Sequence, residues 1–325
     1  MQLAAVRLGQ LPERVAVAGP CPLDQLGCHV TLFRGSHPGT DTALGPNWAP
    51  GFAALRGPHC QRKEPGMMLK DKVAVVYGGA GAIGGAVARA FAREGATVFL
   101  AGRLRAPVEA VAEDIGAAGA AEVDALDERA VDQYLRSVVD RAGRVDISFD
   151  AIGIPDADIV GVPLVDLDAA RFARPITAYA TSYFLTARLA ARRMIPNRSG
   201  VIMTATALPA RAGIPLMGGY APAQAAKEAL TRGLSAELAP HGVRVVGLRP
   251  QAMPESPTIR EAFEPRAAAT GLSWEQFQEF LASRTHPRRL MTLAEMAEVA
   301  TFLASDRATA LTGTTVNLTM GSLDD

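Results

Sequence analysis

Cysteine is scarce in this chain: of 325 residues only Cys21, Cys28 and Cys60 are cysteines, and all three precede residue 67. No disulfide framework can hold the remainder together, which suits a reducing cytoplasmic compartment. Net charge is missing too, because 33 basic residues balance 33 acidic ones and the formal charge at pH 7 is zero. Without a field of one sign the chain has no long-range means of gathering nucleic acid or an anionic membrane, and a small-molecule substrate is the expected partner. There is no apolar run of about 18 residues, the minimum for a spanning helix, and no basic-then-apolar secretory opening, so a soluble cytoplasmic protein is expected. Metal chemistry is not expected either. Cys21, Cys28, His29, His37, His59 and Cys60 are ligand types, but their spacing fits no CxxC or HxxxH pattern.

What is present begins in earnest near Met67. Residues 1–66 are rich in Gly and Pro, hold no sustained hydrophobic period, and end in Gln61-Arg62-Lys63-Glu64-Pro65-Gly66. That texture predicts an irregular or disordered extension, or a start codon placed too early. From Lys72 onward apolar strands alternate with helical stretches, the strands falling near 72–77, 97–101, 121–124, 146–152, 200–205, 243–248 and 315–318. Fully apolar strands such as Val73-Ala74-Val75-Val76 are buried on both faces, which calls for a parallel sheet between two helix layers. The expected class is α/β: a three-layer, doubly wound parallel sheet of seven strands with helices on both faces, occupying 67–325 as one domain.

Directly after the first strand comes Tyr77-Gly78-Gly79-Ala80-Gly81-Ala82-Ile83-Gly84-Gly85, opening a helix with Ile83, Val87 and Phe91 four residues apart. Glycines here permit a tight turn and close approach of backbone N–H groups to a pyrophosphate at the helix N-terminus. Between a buried strand and an amphipathic helix this resembles the Thr-Gly-x-x-x-Gly-x-Gly loop of the short-chain dehydrogenases/reductases, with Tyr77 for the threonine and Ala82 for the middle glycine. The resemblance runs on through Asp124-Ala125, Asp150-Ala151-Ile152-Gly153 (Asp150 and Ala151 replacing two asparagines), Glu237 to Val245 and Thr312-Gly313, and so covers 68–325. It implies a Rossmann fold and a nicotinamide dinucleotide held by Gly78, Ala80, Gly81, Ile83, Gly84, Asp124, Ala125, Ala151, Ile152, Gly153, Pro250 and Met253. The second strand ends in Gly102-Arg103, not in an acid that would accept from the adenosine ribose. Room and positive charge at Arg103 favour a 2′-phosphate, hence NADP(H) over NAD(H).

At the catalytic end the family pattern frays. The family uses a tyrosine as proton donor or acceptor, a lysine four residues later that lowers its pKa, and a serine about thirteen residues before it. An ordinary phenol has a pKa near 10 and needs such a cation to act as a base near neutral pH. In Tyr220-Ala221-Pro222-Ala223-Gln224-Ala225-Ala226-Lys227 the tyrosine is kept, but Gln224 stands at the lysine position and Ala207 at the serine position. A hydroxyl must then come from Thr206 or Thr204, and Tyr179 stands where the family has a helix asparagine. Register makes Lys227 a surface helix lysine, although Tyr-x6-Lys is also the spacing of the family's enoyl-thioester reductase branch. The resemblance therefore implies an NADP(H)-dependent oxidoreductase acting on a carbonyl or alcohol, with Tyr220, Thr206 and Gln224 at the reacting end. Two alternatives stand beside it: an enoyl-thioester reductase using Tyr220 and Lys227, and a cofactor-binding protein without redox turnover. It further implies a homodimer or homotetramer paired through helices near 170–195 and 220–239, where Ala187, Ala190 and Ala191 would permit close contact. Residues 257–290, with Trp274, Phe277 and Phe280 spaced by three, predict a substrate lid carrying one amphipathic helix.

Overall fold

The computed structural model describes residues 67–323 apart from Ala157 and Ser256. The expectations for residues 1–66, including their Cys and His residues, lie outside the described residues. Seven parallel strands form one sheet: β1 (Val73–Tyr77), β2 (Thr97–Gly102), β3 (Gly119–Glu122), β4 (Ile147–Asp150), β5 (Gly200–Ala205), β6 (Val243–Pro250) and β7 (Thr314–Leu318). Their spatial order is β3-β2-β1-β4-β5-β6-β7. The order reverses between β1 and β4, whose register pairs Tyr77 with Asp150. A crevice opens at the carboxyl ends of strands at such a point, because the flanking connections leave in opposite directions.

The side-chain period of two explains why β1 is apolar throughout. Ala74 and Val76 enter one core with Val87 and Phe91 of α1 (Ala82–Arg93), Val108 of α2 (Arg105–Ile115), and Met296 and Leu303 of α8 (Leu293–Ala304). Val73, Val75 and Tyr77 enter the opposite core with Leu135 of α3 (Glu128–Ala142), Tyr183 of α4 (Ala169–Met194) and Leu234 of α5 (Tyr220–Leu238). Alternate residues thus serve alternate layers. Helix starts are fixed by local chemistry: Asp127 accepts from the amides of Arg129 and Ala130, and Thr292 and Glu295 form a reciprocal capping box.

Three local expectations are corrected. The third strand begins earlier than read, at Gly119, so that Asp124 lies on the loop after it. The segment 257–290, expected to carry one helix, carries two, α6 (Pro257–Ala269) and α7 (Trp274–Ser283), separated at Gly271, whose φ of +74° breaks the helix. Phe277 is buried against Phe263 of α6 and against Trp274, while Phe280 remains 46% exposed, so the spacing of three does not make one apolar face. Finally, Ala187, Ala190 and Ala191 are buried in the chain's own core beneath α4. Their small size lets α4 approach the sheet, and they are not available to a second subunit. Among the described residues no helix is long and apolar enough to cross a membrane.

Candidate active site

A cavity of ≈ 120 Å³ lies where the strand order reverses, lined by Gly78, Arg103, Asp124, Ala125, Ile152 and Gly153 among others. These six were expected from sequence. Tyr77, Ala101, Gly102, Val123, Leu126, Ile154, Ala178 and Ser182 complete the lining and were not expected as cofactor contacts. The glycine loop beside the cavity is built by exclusion. Gly78 has φ +73°, and a Cβ on it would stand 2.5 Å from the carbonyl oxygen of Ala151. A Cβ on Gly84 would stand 2.2 Å from the carbonyl oxygen of Gly78. Neither position can carry a side chain without moving backbone. Helix α1 starts at N-cap Gly81 with no side-chain cap, which leaves its first-turn amides to an outside acceptor. Ala80, Ile83 and Ala151 belong to the same backbone layer, but their side chains do not line the cavity.

Arg103 is exposed at the cavity rim and makes no ion pair among the described residues, whereas Arg105 is engaged by Glu109 one turn on. A Cβ on Gly102 would lie 2.7 Å from Val108. Packing of α2 on the strand end therefore crowds this position, so a side chain at 102 would require the Val108 side chain to shift. Asp124 caps its own loop by accepting from the amide of Leu126 at 3.0 Å.

The reacting end is set by α5. A Cβ on Gly219 would be 1.9 Å from the carbonyl oxygen of Phe172 in α4, so only glycine allows the two helices to meet where α5 begins. Tyr220 is thereby fixed as the first residue of α5, its ring edge-on to Tyr179 with centroids 5.8 Å apart. Burial, then Tyr179 and Asp156, push the Tyr220 phenol well above its ordinary value. One turn on, Gln224 is buried, and its side-chain oxygen has no hydrogen-bond partner. The hydroxyl of Thr206 is already shared between Glu228 and the carbonyl of Leu248, both at 3.2 Å, and Glu228 is held in turn by Arg249 at 2.7 Å. Thr206 thus braces a buried ion pair between α5 and β6 instead of turning toward an open pocket. Thr204 is also buried, donating to the carbonyl of Asp150 at 3.3 Å.

Lys227 is not a surface lysine. It is 1% exposed, and its Nζ donates to Asp150 Oδ1 and to the carbonyl of Ala205, both at 2.9 Å. Tyr179 and Tyr183 present their ring faces to the same ammonium at 5.6 and 5.7 Å. The acid at 150 and the lysine at 227, 77 residues apart in sequence, are each other's partner. After β6, Met253 is buried and Gln251 donates to Ser322 at 2.9 Å, tying the Pro250 loop to the C-terminal segment.

A family model described as Enoyl-(Acyl carrier protein) reductase matches residues 78–322. The chain belongs to the short-chain dehydrogenase/reductase family. It is 35% identical over 256 residues to (-)-isopiperitenol/(-)-carveol dehydrogenase, mitochondrial, of Mentha piperita, covering 75% of this chain and 91% of that one. It is 30% identical over 247 residues to secoisolariciresinol dehydrogenase of Forsythia intermedia, covering 75% and 86%. Among solved structures, NAD+-bound xylitol dehydrogenase superposes with a TM-score of 0.71 at 26% identity, over 77% of this chain and 98% of that one. The short-chain dehydrogenase/reductase assignment fixes an oxidoreductase on a Rossmann-like sheet of seven parallel strands, as the strand order already indicates.

Proposed function

We propose that this short-chain dehydrogenase/reductase is an NADP(H)-dependent oxidoreductase acting on a carbonyl or alcohol group, with Tyr220 handling the substrate proton. The observation that carries it is the glycine cradle at the strand-order reversal, where a Cβ on Gly84 would overlap the Gly78 carbonyl at 2.2 Å, beside a cavity rimmed by an uncommitted arginine. A backbone surface this close suits a pyrophosphate, and the orphaned Gln224 oxygen on the face of α5 that bears Tyr220 suits a ribose hydroxyl donor. When bound, the nicotinamide supplies or accepts the hydride.

This chain's own residues do the rest. Gly78, Gly81 and Gly84 present amides and open space, Asp124, Ala125, Ile152 and Gly153 wall the adenosine end, and Pro250 and Met253 begin the lid segment. Arg103 provides charge for a 2′-phosphate where Gly102 leaves no acid. Tyr220 stays protonated, since its phenol is pushed up and no cation faces it, so it donates to a substrate oxygen more readily than it withdraws a proton. Lys227 is left out because its ammonium is committed to Asp150 and Ala205.

Two measurements test this. NADPH titrated into the purified protein should bind, and a panel of ketones should then deplete nicotinamide absorbance; binding with no turnover on ketones, quinones or enoyl thioesters would point to a cofactor-binding protein without redox function. Arg103→Ala should weaken NADPH about tenfold or more, the worth of one charge-assisted hydrogen-bond pair, and leave NADH unchanged. Equal losses for both cofactors would remove the basis for NADP(H) preference.

A further inference from the structure

We propose that Tyr179 is a positioning residue that ties the wall of the cofactor cavity to the ring of Tyr220; the inference rests on the oxidoreductase reading above. Tyr220 has little else to hold it. No described residue hydrogen-bonds to its hydroxyl, and Tyr179 is the one described ring packed against it, with centroids 5.8 Å apart and planes at 81°. Gly219 fixes where α5 starts, but a backbone start leaves the side-chain torsions of Tyr220 free. The neighbouring ring limits them.

Tyr179 is itself pinned on several sides, and it is only 5% exposed. The Lys227 ammonium lies over its ring at 5.6 Å, and that ammonium is anchored to Asp150 at the end of β4 and to the Ala205 carbonyl at the end of β5. Its hydroxyl accepts from the amide of Ile154 at 3.4 Å. Ile154 lines the cavity at the strand-order reversal, as do Ala178 and Ser182 beside Tyr179 in α4. One side chain therefore meets the strand ends through Lys227, the cavity wall through its hydroxyl and the proton-handling residue through its ring. Tyr183, one turn on, presents its ring to the same ammonium at 5.7 Å, but its hydroxyl meets Thr231. Among the described residues Tyr183 makes no ring contact with Tyr220.

The two contacts of Tyr179 do different things. The hydroxyl holds the segment after β4 in place before a dinucleotide arrives, so binding does not have to order it. The ring holds the Tyr220 phenol at one distance from the substrate oxygen, where a displacement of about 1 Å costs roughly a hundredfold in rate. Tyr179 takes no proton itself. Burial pushes its phenol above the ordinary value, and it acts only through Tyr220 and Ile154.

The test compares the whole chain with Tyr179→Phe, Tyr179→Leu and Tyr183→Phe, measuring the NADPH Kd by titration, kcat and KM on an accepted ketone, and thermal unfolding without cofactor. Tyr179→Phe loses the hydroxyl and keeps the ring: the Kd should rise about threefold to tenfold, the worth of one hydrogen bond, with kcat within about twofold of the parent. Tyr179→Leu loses both: the Kd should rise as far, and kcat should fall by about tenfold to a hundredfold. Tyr183→Phe should lower the melting temperature and leave Kd and kcat at parental values. Rescue of kcat but not of Kd by phenylalanine at 179 is the split that ring placement predicts and that a general loosening of α4 does not. An unchanged Kd in Tyr179→Phe would overturn the tie to the cavity wall, whether or not the leucine variant folds. Equal kcat in the phenylalanine and leucine variants would overturn the placing of Tyr220, and matching losses in Tyr183→Phe would reduce both tyrosines to packing. NADPH binding by the parent without turnover on any substrate would overturn the oxidoreductase reading and the ring half of this inference, while the Kd comparison still decides the hydroxyl half.

Discussion

Lys227→Met is expected to lower the unfolding free energy by about 3–5 kcal/mol, the cost of leaving a buried charge without its partner. The methionine fills most of the lysine's volume, so the loss is electrostatic and not a cavity effect. Asp150, 1% exposed at the end of β4, would keep its carboxylate with only the Thr186 hydroxyl at 3.4 Å nearby. The Ala205 carbonyl would lose its donor at the same time. Urea unfolding of the single and double variants measures this directly. Lys227→Met combined with Asp150→Leu should recover a large part of the deficit, because replacing both members of a buried pair with apolar groups removes the desolvation cost that each ion carries. A surface helix lysine would give a change within about 0.5 kcal/mol in the same experiment, which is the outcome the sequence register alone would lead one to expect.

Tyr220→Phe should reduce kcat by roughly a hundredfold to ten-thousandfold and leave NADPH binding and thermal stability close to those of the parent. The ring is the part of Tyr220 that packs against Tyr179, and phenylalanine preserves it. No described residue hydrogen-bonds to the Tyr220 hydroxyl, so removing it leaves no stranded partner. Steady-state kinetics on any accepted ketone would check this. Unchanged kcat would mean that the substrate oxygen is protonated from elsewhere.

Much of the fold was legible because it rests on short-range pattern. Val73 to Tyr77 read as a buried strand since every residue is apolar, and each enters one of the two cores by simple alternation. Gly78 and Gly84 were legible because they recur in a short glycine-rich run directly after a strand, although what Gly78 must make room for is the distant Ala151 carbonyl. Lys227 was misread because a helical register gives the face of a residue but not what covers that face; β4 and β5 cover it, from residues at least 22 positions away in sequence. Thr206 was misread for the same reason. Its neighbour in sequence is the family serine position, but its hydroxyl finds Glu228, 22 residues on, and the Leu248 carbonyl, 42 residues on.

The sequence by itself therefore determined the parallel sheet, the glycine-rich loop, the absence of an acid at Gly102, and the placing of Gln224 and Lys227 four and seven residues after Tyr220. Only the tertiary structure decided where the remaining charges and hydroxyls are spent. It closed Lys227 onto Asp150, drew Thr206 into the Glu228–Arg249 pair, and left the Gln224 oxygen without a partner. The physical reason is that apolar periodicity and the turn preference of glycine are written in neighbouring residues of chain. The fate of a buried polar group depends on which distant backbone or side-chain atom reaches it first, and that is settled only when the layers pack.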